Sequence, residues 1–478
     1  MKRLIPAALA LFALSAFADQ TTGGVNWIEP LGYTKPHFTP ISVPSEASTP
    51  NKYWIDLTSG SGTTCSNVSP CKSLSSVSGK AGTTGGPAYI YVKGIGPFGN
   101  PTLYGSVGNE VVIKPWDDNT SATFTGRNNL VSQLQNIVID GGTNLGFRFR
   151  SDSGGQFDPS LYFNASGATT HQNIKIARSQ WHVPGMGEWV AQWGQYTDLY
   201  FINNEFHADG STDTGNQHHM YFSGASNYGT SSGLYILNNI FRSTPGEAIE
   251  FRMFQTVTGV TIDGNAFHDV GKGTCSNSWK CRSAITFVDG QTSGARIANA
   301  KFSNNLVWDT GEGIMRCWAS SSVLVFNNTV YLWGQGTPQN GNYGTWAFFG
   351  YQADGNCTPV NNIIYSGGGK SQNGSTLIPF DNSSGIASGA SNNMCATGQS
   401  CGANAQPWSS TTAQSINPNS SSFMFMNSSS TALGNGINTA GTPDYISNPR
   451  PSSSGWDIGA IGGSASTNIQ APTNLRVQ

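Results

Sequence analysis

Four side chains in the middle of the chain have the right types and spacing for acid–base chemistry on a sugar: His219, Tyr221, Glu250 and Arg252. An imidazole or a phenol within hydrogen-bond reach can take a proton, and the phenol can give one back. A guanidinium grips a carboxylate with two parallel hydrogen bonds. Together they suit β-elimination on a uronic-acid polymer. There a cation neutralises the carboxylate and acidifies the C5 proton, a base removes it, and an acid meets the leaving oxygen. Glu250 paired with Glu247 or Asp269 would suit glycoside hydrolysis instead, which wants two carboxylates ~5–9.5 Å apart. Lys272 is a reserve base, and Trp189, Trp193 and Trp308 offer flat faces for stacking on sugar rings. Asp209 and Asp213 offer oxygens to a calcium ion, which takes six or more. Nothing in the sequence requires any other cofactor.

The elements that hold these residues are repeats. A Gly-Glu pair precedes an aliphatic residue at Gly187-Glu188-Trp189-Val190, Gly246-Glu247-Ala248-Ile249 and Gly311-Glu312-Gly313-Ile314. Two more segments, His218-His219-Met220-Tyr221-Phe222 and Ser283-Ala284-Ile285-Thr286-Phe287, fit the same frame. Between them runs an Asn-Asn unit flanked by apolar residues, with its last Asn at 204, 239, 265, 305, 328 and 362. The intervals range from 23 to 40 residues, a period that signals a solenoid or array. Apolar residues alternate over short runs bounded by Gly, Asn, Ser and Thr, which is strand patterning. An Asn at one corner of every coil can bond along a ladder and can tolerate a left-handed backbone. The expected architecture is all-β, a right-handed parallel β-helix. Stacking Val190, Met220, Ile249, Ile285 and Ile314 as one inward column leaves Trp189, His219, Tyr221, Ala248, Glu250 and Arg252 facing outward under strict alternation. Rungs ~4.8 Å apart then gather His219, Tyr221, Glu250 and Arg252 into a patch the size of a sugar ring.

Residues 1–18 read as a signal peptide, with Lys2 and Arg3, an apolar run and Ala16-Phe17-Ala18 as the cleavage site. Residues 19–50 form a lead-in, 51–369 the parallel β-helix with a short N-terminal cap, 370–465 Ser/Asn/Gly-rich coils with a closing strand, and 466–478 a linker-like tail. No later run is long enough to span a membrane. The chain is expected to be secreted and monomeric. Its charge of −2 with only 10% charged residues argues against nucleic acid as a partner. Eight cysteines fit an oxidising compartment. Cys65/Cys71, Cys275/Cys281 and Cys395/Cys401 share one spacing, which leaves Cys317 to pair with Cys357. Without C-x-x-C spacing a structural zinc site is not expected from them.

The run from Tyr53 to Leu74, the Asn-Asn repeats and the Asp457-Ile458-Gly459-Ala460 ending resemble secreted bacterial right-handed parallel β-helix repeat proteins of the pectate-lyase-like superfamily. The resemblance spans nearly the whole mature chain and implies that fold. It implies a polysaccharide-active protein without naming the reaction, since the superfamily hosts lyases, hydrolases, esterases, epimerases and adhesins. The chain carries neither the Asp-Asp and Gly-His-Gly set of polygalacturonases nor a pectin-methylesterase signature, so no catalytic residue is carried across. A polysaccharide lyase acting on a uronic-acid polymer is the leading expectation. A glycoside hydrolase and a non-catalytic glycan-binding β-helix are the alternatives.

Overall fold

The computed structural model describes residues 41–461 apart from interior stretches, the longest being 151–159, 209–217, 272–282, 335–345 and 366–377. Residues 1–40, with the expected signal segment, and 462–478 lie outside it. Asp209, Asp213, Lys272, Trp193, Cys275 and Cys281 also fall outside the described residues.

Each coil lays down three short strands. Gln195–Ile202, Glu205–Ala208 and His218–Gly224 make one coil; Ser231–Leu237, Ile240–Arg242 and Ile249–Met253 make the next. Successive coils pair in parallel on each face: Leu199 with Leu234 and Val260, Phe206 with Phe241 and Phe267, Met220 with Ile249 and Ile285. Two of the faces join as a 24-stranded sheet, here called back and flank, and the third is a separate nine-stranded sheet. The result is the expected right-handed parallel β-helix. Among the described residues, no helix is long and apolar enough to cross a membrane.

Alternation along the strands sends one apolar set inward, and stacking brings like side chains together. Trp181, Phe206, Phe241 and Phe267 form an interior stack with successive centroids 5.4, 4.8 and 4.8 Å apart. Each such ring, fully withdrawn from water, contributes about 1.5–3 kcal/mol of hydrophobic stabilisation.

The Asn-Asn corner divides its labour. The first residue takes the left-handed backbone, as at Asn203, Asn238, Asn304, Asn327 and Asn361, which Asn tolerates better than most residues. The second is buried and joins a ladder. Asn204, Asn239, Asn265, Asn305, Asn328 and Asn362 each donate their backbone N–H to the side-chain carbonyl of the next ladder Asn, at 2.8–2.9 Å. The ladder runs one rung further than the sequence suggests, to Asn393.

Both described ends fold back onto the coils. Ile41 and Val43 pack on an outer cluster of Tyr89, Tyr91, Val112 and Val138, while Glu46 meets the Tyr91 hydroxyl and Lys114. At the other end the outward side chains of Asn327, Asn361 and Asn392 donate to the carbonyls of Asp457, Ile437 and Asn435. Phe423, Met424 and Tyr445 cover the outer side of the flank face there. Three expected disulfides form: Cys65–Cys71, Cys317–Cys357 and Cys395–Cys401. The second joins the nine-stranded face to the back face across the interior.

Candidate active site

The nine-stranded face breaks the strict alternation where each coil turns onto it. His219 and Met220 are both fully buried, as are Ala248 with Ile249, and Ile314 with Met315; Ala284 and Ile285 are buried likewise. Two consecutive residues therefore point inward at the corner, and alternation resumes only afterwards. The register confirms it, pairing Ile285 with Met315 rather than with Ile314.

This corner corrects the expected outward column. His219 points into the core, its ring 6.1 Å from Phe206 and 5.7 Å from Phe241. Burial pushes its pKa well below the ordinary histidine value. Ala248 is likewise a core residue. The side chain one place earlier, at His218, takes the outer position.

Around His218 the expected patch assembles with different members. Its Nε2 lies 2.9 Å from Glu250 Oε2 and its Nδ1 lies 3.3 Å from Glu247 Oε2. Its ring stacks on Tyr221, with centroids 5.6 Å apart. His218 and Glu247 are only 4% and 3% exposed, which makes their mutual charge compensation necessary. Burial alone would depress the His218 pKa, but the pull of Glu250 and Glu247 outweighs it and raises the value well above the ordinary one. Burial likewise works to raise the Glu250 carboxyl, while His218, Arg252 and Arg316 together hold it below the usual range.

Register explains why these groups meet. Tyr221 pairs with Glu250, Glu250 with Thr286, and Thr286 with Arg316, so the phenol, carboxylate and second guanidinium share one outward column. Arg252 stands two residues along the strand from Glu250, on the same side. The arrangement combines a phenol, two guanidiniums and an imidazole clamped by two carboxylates. His218, Glu247 and Glu250 each offer a ligand atom, all within 4.8 Å of one another, and are the residues here able to hold a metal ion.

Comparison with solved structures matches this architecture. The chain is similar to the pectate lyase Pel9A, with 12% identity, 87% of this chain and 97% of that chain covered, and a TM-score of 0.53. The likeness is one of fold, the parallel β-helix that the two chains share. Weaker likenesses are to an alginate lyase from Paenibacillus sp. str. FPU-7 (12% identity, 69% and 98% covered, TM-score 0.38) and to a rhamnogalacturonan lyase (11%, 79% and 97%, TM-score 0.39). No family model and no curated protein matches the chain.

On this parallel β-helix, Tyr221, Glu250 and Arg252 come together as expected and His219 does not join them. Trp308 faces outward, but on the flank, where His268 stacks on it at 4.6 Å and Phe423 of the C-terminal segment covers it. At 4% exposure it is closed to a sugar. Asp269 follows a flank strand, Ala266–His268, whereas Glu247 lies with Glu250 against His218. Trp189 lies in the strand Glu188–Gln192 at the corner place level with His219; its side chain is outside the described residues. Sequence reasoning missed His218 and Arg316 and gave Glu247 a lesser part. The signal was present in the apolar doublets Ala248-Ile249, Ala284-Ile285 and Ile314-Met315, which mark a corner where alternation slips by one.

Proposed function

We propose that this chain is a polysaccharide lyase that cleaves a uronic-acid-containing polymer by β-elimination. The observation that carries the proposal is the phenol of Tyr221 on one outward face with two guanidiniums, Arg252 and Arg316, close enough to bias Glu250. Arg252 binds the uronate carboxylate, and the buried Arg316 adds to the positive field around it, which acidifies the C5 proton. Tyr221, as phenolate, takes that proton; the electron pair forms the C4–C5 double bond as the C4–O bond breaks. The phenol then returns the proton to the leaving oxygen. His218, held between Glu247 and Glu250, fixes the ring on which Tyr221 stacks. The fold shared with a pectate lyase agrees with this chemistry.

A glycoside hydrolase is the second reading, because Glu247 and Glu250 bring carboxylate oxygens within 4.8 Å. It is disfavoured because both carboxylates already face His218 and Glu247 is closed to solvent. The test is a panel of uronate-containing and neutral polysaccharides, followed by near-ultraviolet absorbance and reducing ends together. A lyase gives absorbing unsaturated ends on a uronate polymer. Reducing ends without absorbance would replace this proposal with hydrolysis, and retention of polymer with neither signal would mean a binding protein.

A further inference from the structure

On the outer side of the back face, the register stacks Lys175, Tyr200, Tyr235, Thr261 and Lys301 in one column. Ile174, Leu199, Leu234, Val260 and Ala300, each one place earlier, point into the core. Tyr200 and Tyr235 are half-buried, and their rings lie parallel with centroids 4.4 Å apart. Parallel rings that close have little sideways offset, so their planes stand across the long axis of the coils. One side of Tyr235 is then covered by Tyr200. The other looks over Thr261, whose side chain is short, toward Lys301 two rungs on. Rungs ~4.8 Å apart make that step ~9.6 Å. Lys301 is exposed and Lys175 half-buried, and they bracket the tyrosine pair from its two ends. We propose that this column is a second saccharide site, away from the nine-stranded face, that takes one uronate residue of a polymer. The sugar ring stacks on the Thr261 side of Tyr235, and its carboxylate meets the Lys301 ammonium.

The dimensions fit. Carbon atoms in contact lie ~3.5–4.0 Å apart, so a pyranose against the Tyr235 ring sits at the level of Thr261. An ammonium–carboxylate contact of ~2.7–2.9 Å closes most of the remaining step, and lysine reaches it on a flexible four-carbon stem. Charge decides between a uronate and a neutral sugar, which a tyrosine alone would accept equally well. Both charged members of the column are cations, and none of its five residues is a carboxylate. Asp263, two places beyond Thr261, is already engaged by the Ser303 hydroxyl and the Asn304 amide. The site rests on the lyase reading for its ligand class alone, and it is tested by binding rather than cleavage, so either can fail without the other.

The experiment is affinity electrophoresis of the full chain through gels holding polygalacturonate, alginate, or polygalacturonate with its carboxyls methyl-esterified. Mobility is read against polymer concentration. At least one of the two polyuronates should retard the protein, and the ester should retard it less. Tyr235→Ala and Lys301→Gln each weaken that retardation about 3–10-fold, while Tyr235→Trp keeps it. Lys301 is exposed, so its variant carries the test should Tyr235→Ala fail to fold. Retardation that is absent from both polyuronates, equal for acid and ester, or unchanged in Lys301→Gln overturns the site. Arg252→Gln is the control on the nine-stranded face, and retardation that it alone abolishes also overturns the site. On short soluble uronate oligomers, Lys301→Gln should release unsaturated ends at the unaltered rate; a matching fall there would put the effect at the active site and overturn the second one. No unsaturated ends from the unaltered protein, with retardation still weakened in Lys301→Gln, would remove the lyase reading and support the site.

Discussion

His218 and His219 are neighbours in sequence with opposite surroundings, and that contrast gives the sharpest test at the level of single residues. His218→Ala removes the group clamped by Glu247 and Glu250 and takes from the buried Glu247 the imidazole that compensates its charge. Activity should be lost, with a measurable drop in stability. His219→Leu sits in the aromatic core and loses one backbone contact to Arg242. It should cost about 1 kcal/mol in denaturant unfolding and keep activity within a few-fold. If His219→Leu kills activity while His218→Ala spares it, the site is wrongly drawn. Tyr221→Phe should lower kcat/KM at least about 100-fold at unchanged stability, in line with loss of a general acid–base group. Tyr221, Glu250 and Arg252 were legible from the sequence because they lie beyond the corner, where alternation holds. His219 was misplaced because strict alternation describes a straight strand, and the chain is still turning at that position.

Among the repeating elements, the Asn ladder was the most legible part, since recurrence alone revealed it. Asn265 shows how much each rung carries: it accepts from the backbone N–H and side chain of Asn239 and donates to Ile236, Asp263 and Asn305. Asn265→Ala should destabilise the chain by at least about 1–3 kcal/mol, because it strands buried partners on both neighbouring coils. Denaturant unfolding checks this as a lower midpoint at unchanged slope. What covers an outward column was not legible. Trp308 faces out as patterning suggests, and only the return of the C-terminal segment, with Phe423 against the indole, closes it off. Contacts between residues more than a hundred positions apart, such as Asn327 with Asp457, leave no local trace in sequence.

At the scale of the whole molecule, buried neutral histidines set the response to acid. Burial lowers His171 to about 4. Burial, together with Arg242, His182 and His268, lowers His207 to about 3. In the unfolded chain both titrate near ~6.5. Below that pH the unfolded state binds protons that the folded state refuses, so stability is full above ~6.5 and falls as pH drops toward the folded values. Each group contributes a slope of about 1.4 kcal/mol per pH unit in that window. Unfolding midpoints measured between neutral and mildly acidic pH should show the decline, and His171→Phe should flatten it. A stability independent of pH across that range would refute the account. The ladder has one further consequence at this scale. Its side-chain carbonyls all point back toward the start of the chain, ending on the Ser179 amide, whatever the chain does between rungs. Segments of 23 to 40 residues are bridged equally well. Spare length can therefore be grafted onto any one turn without disturbing its neighbours, which lets such a spine diversify what it grips while its own architecture stays constant.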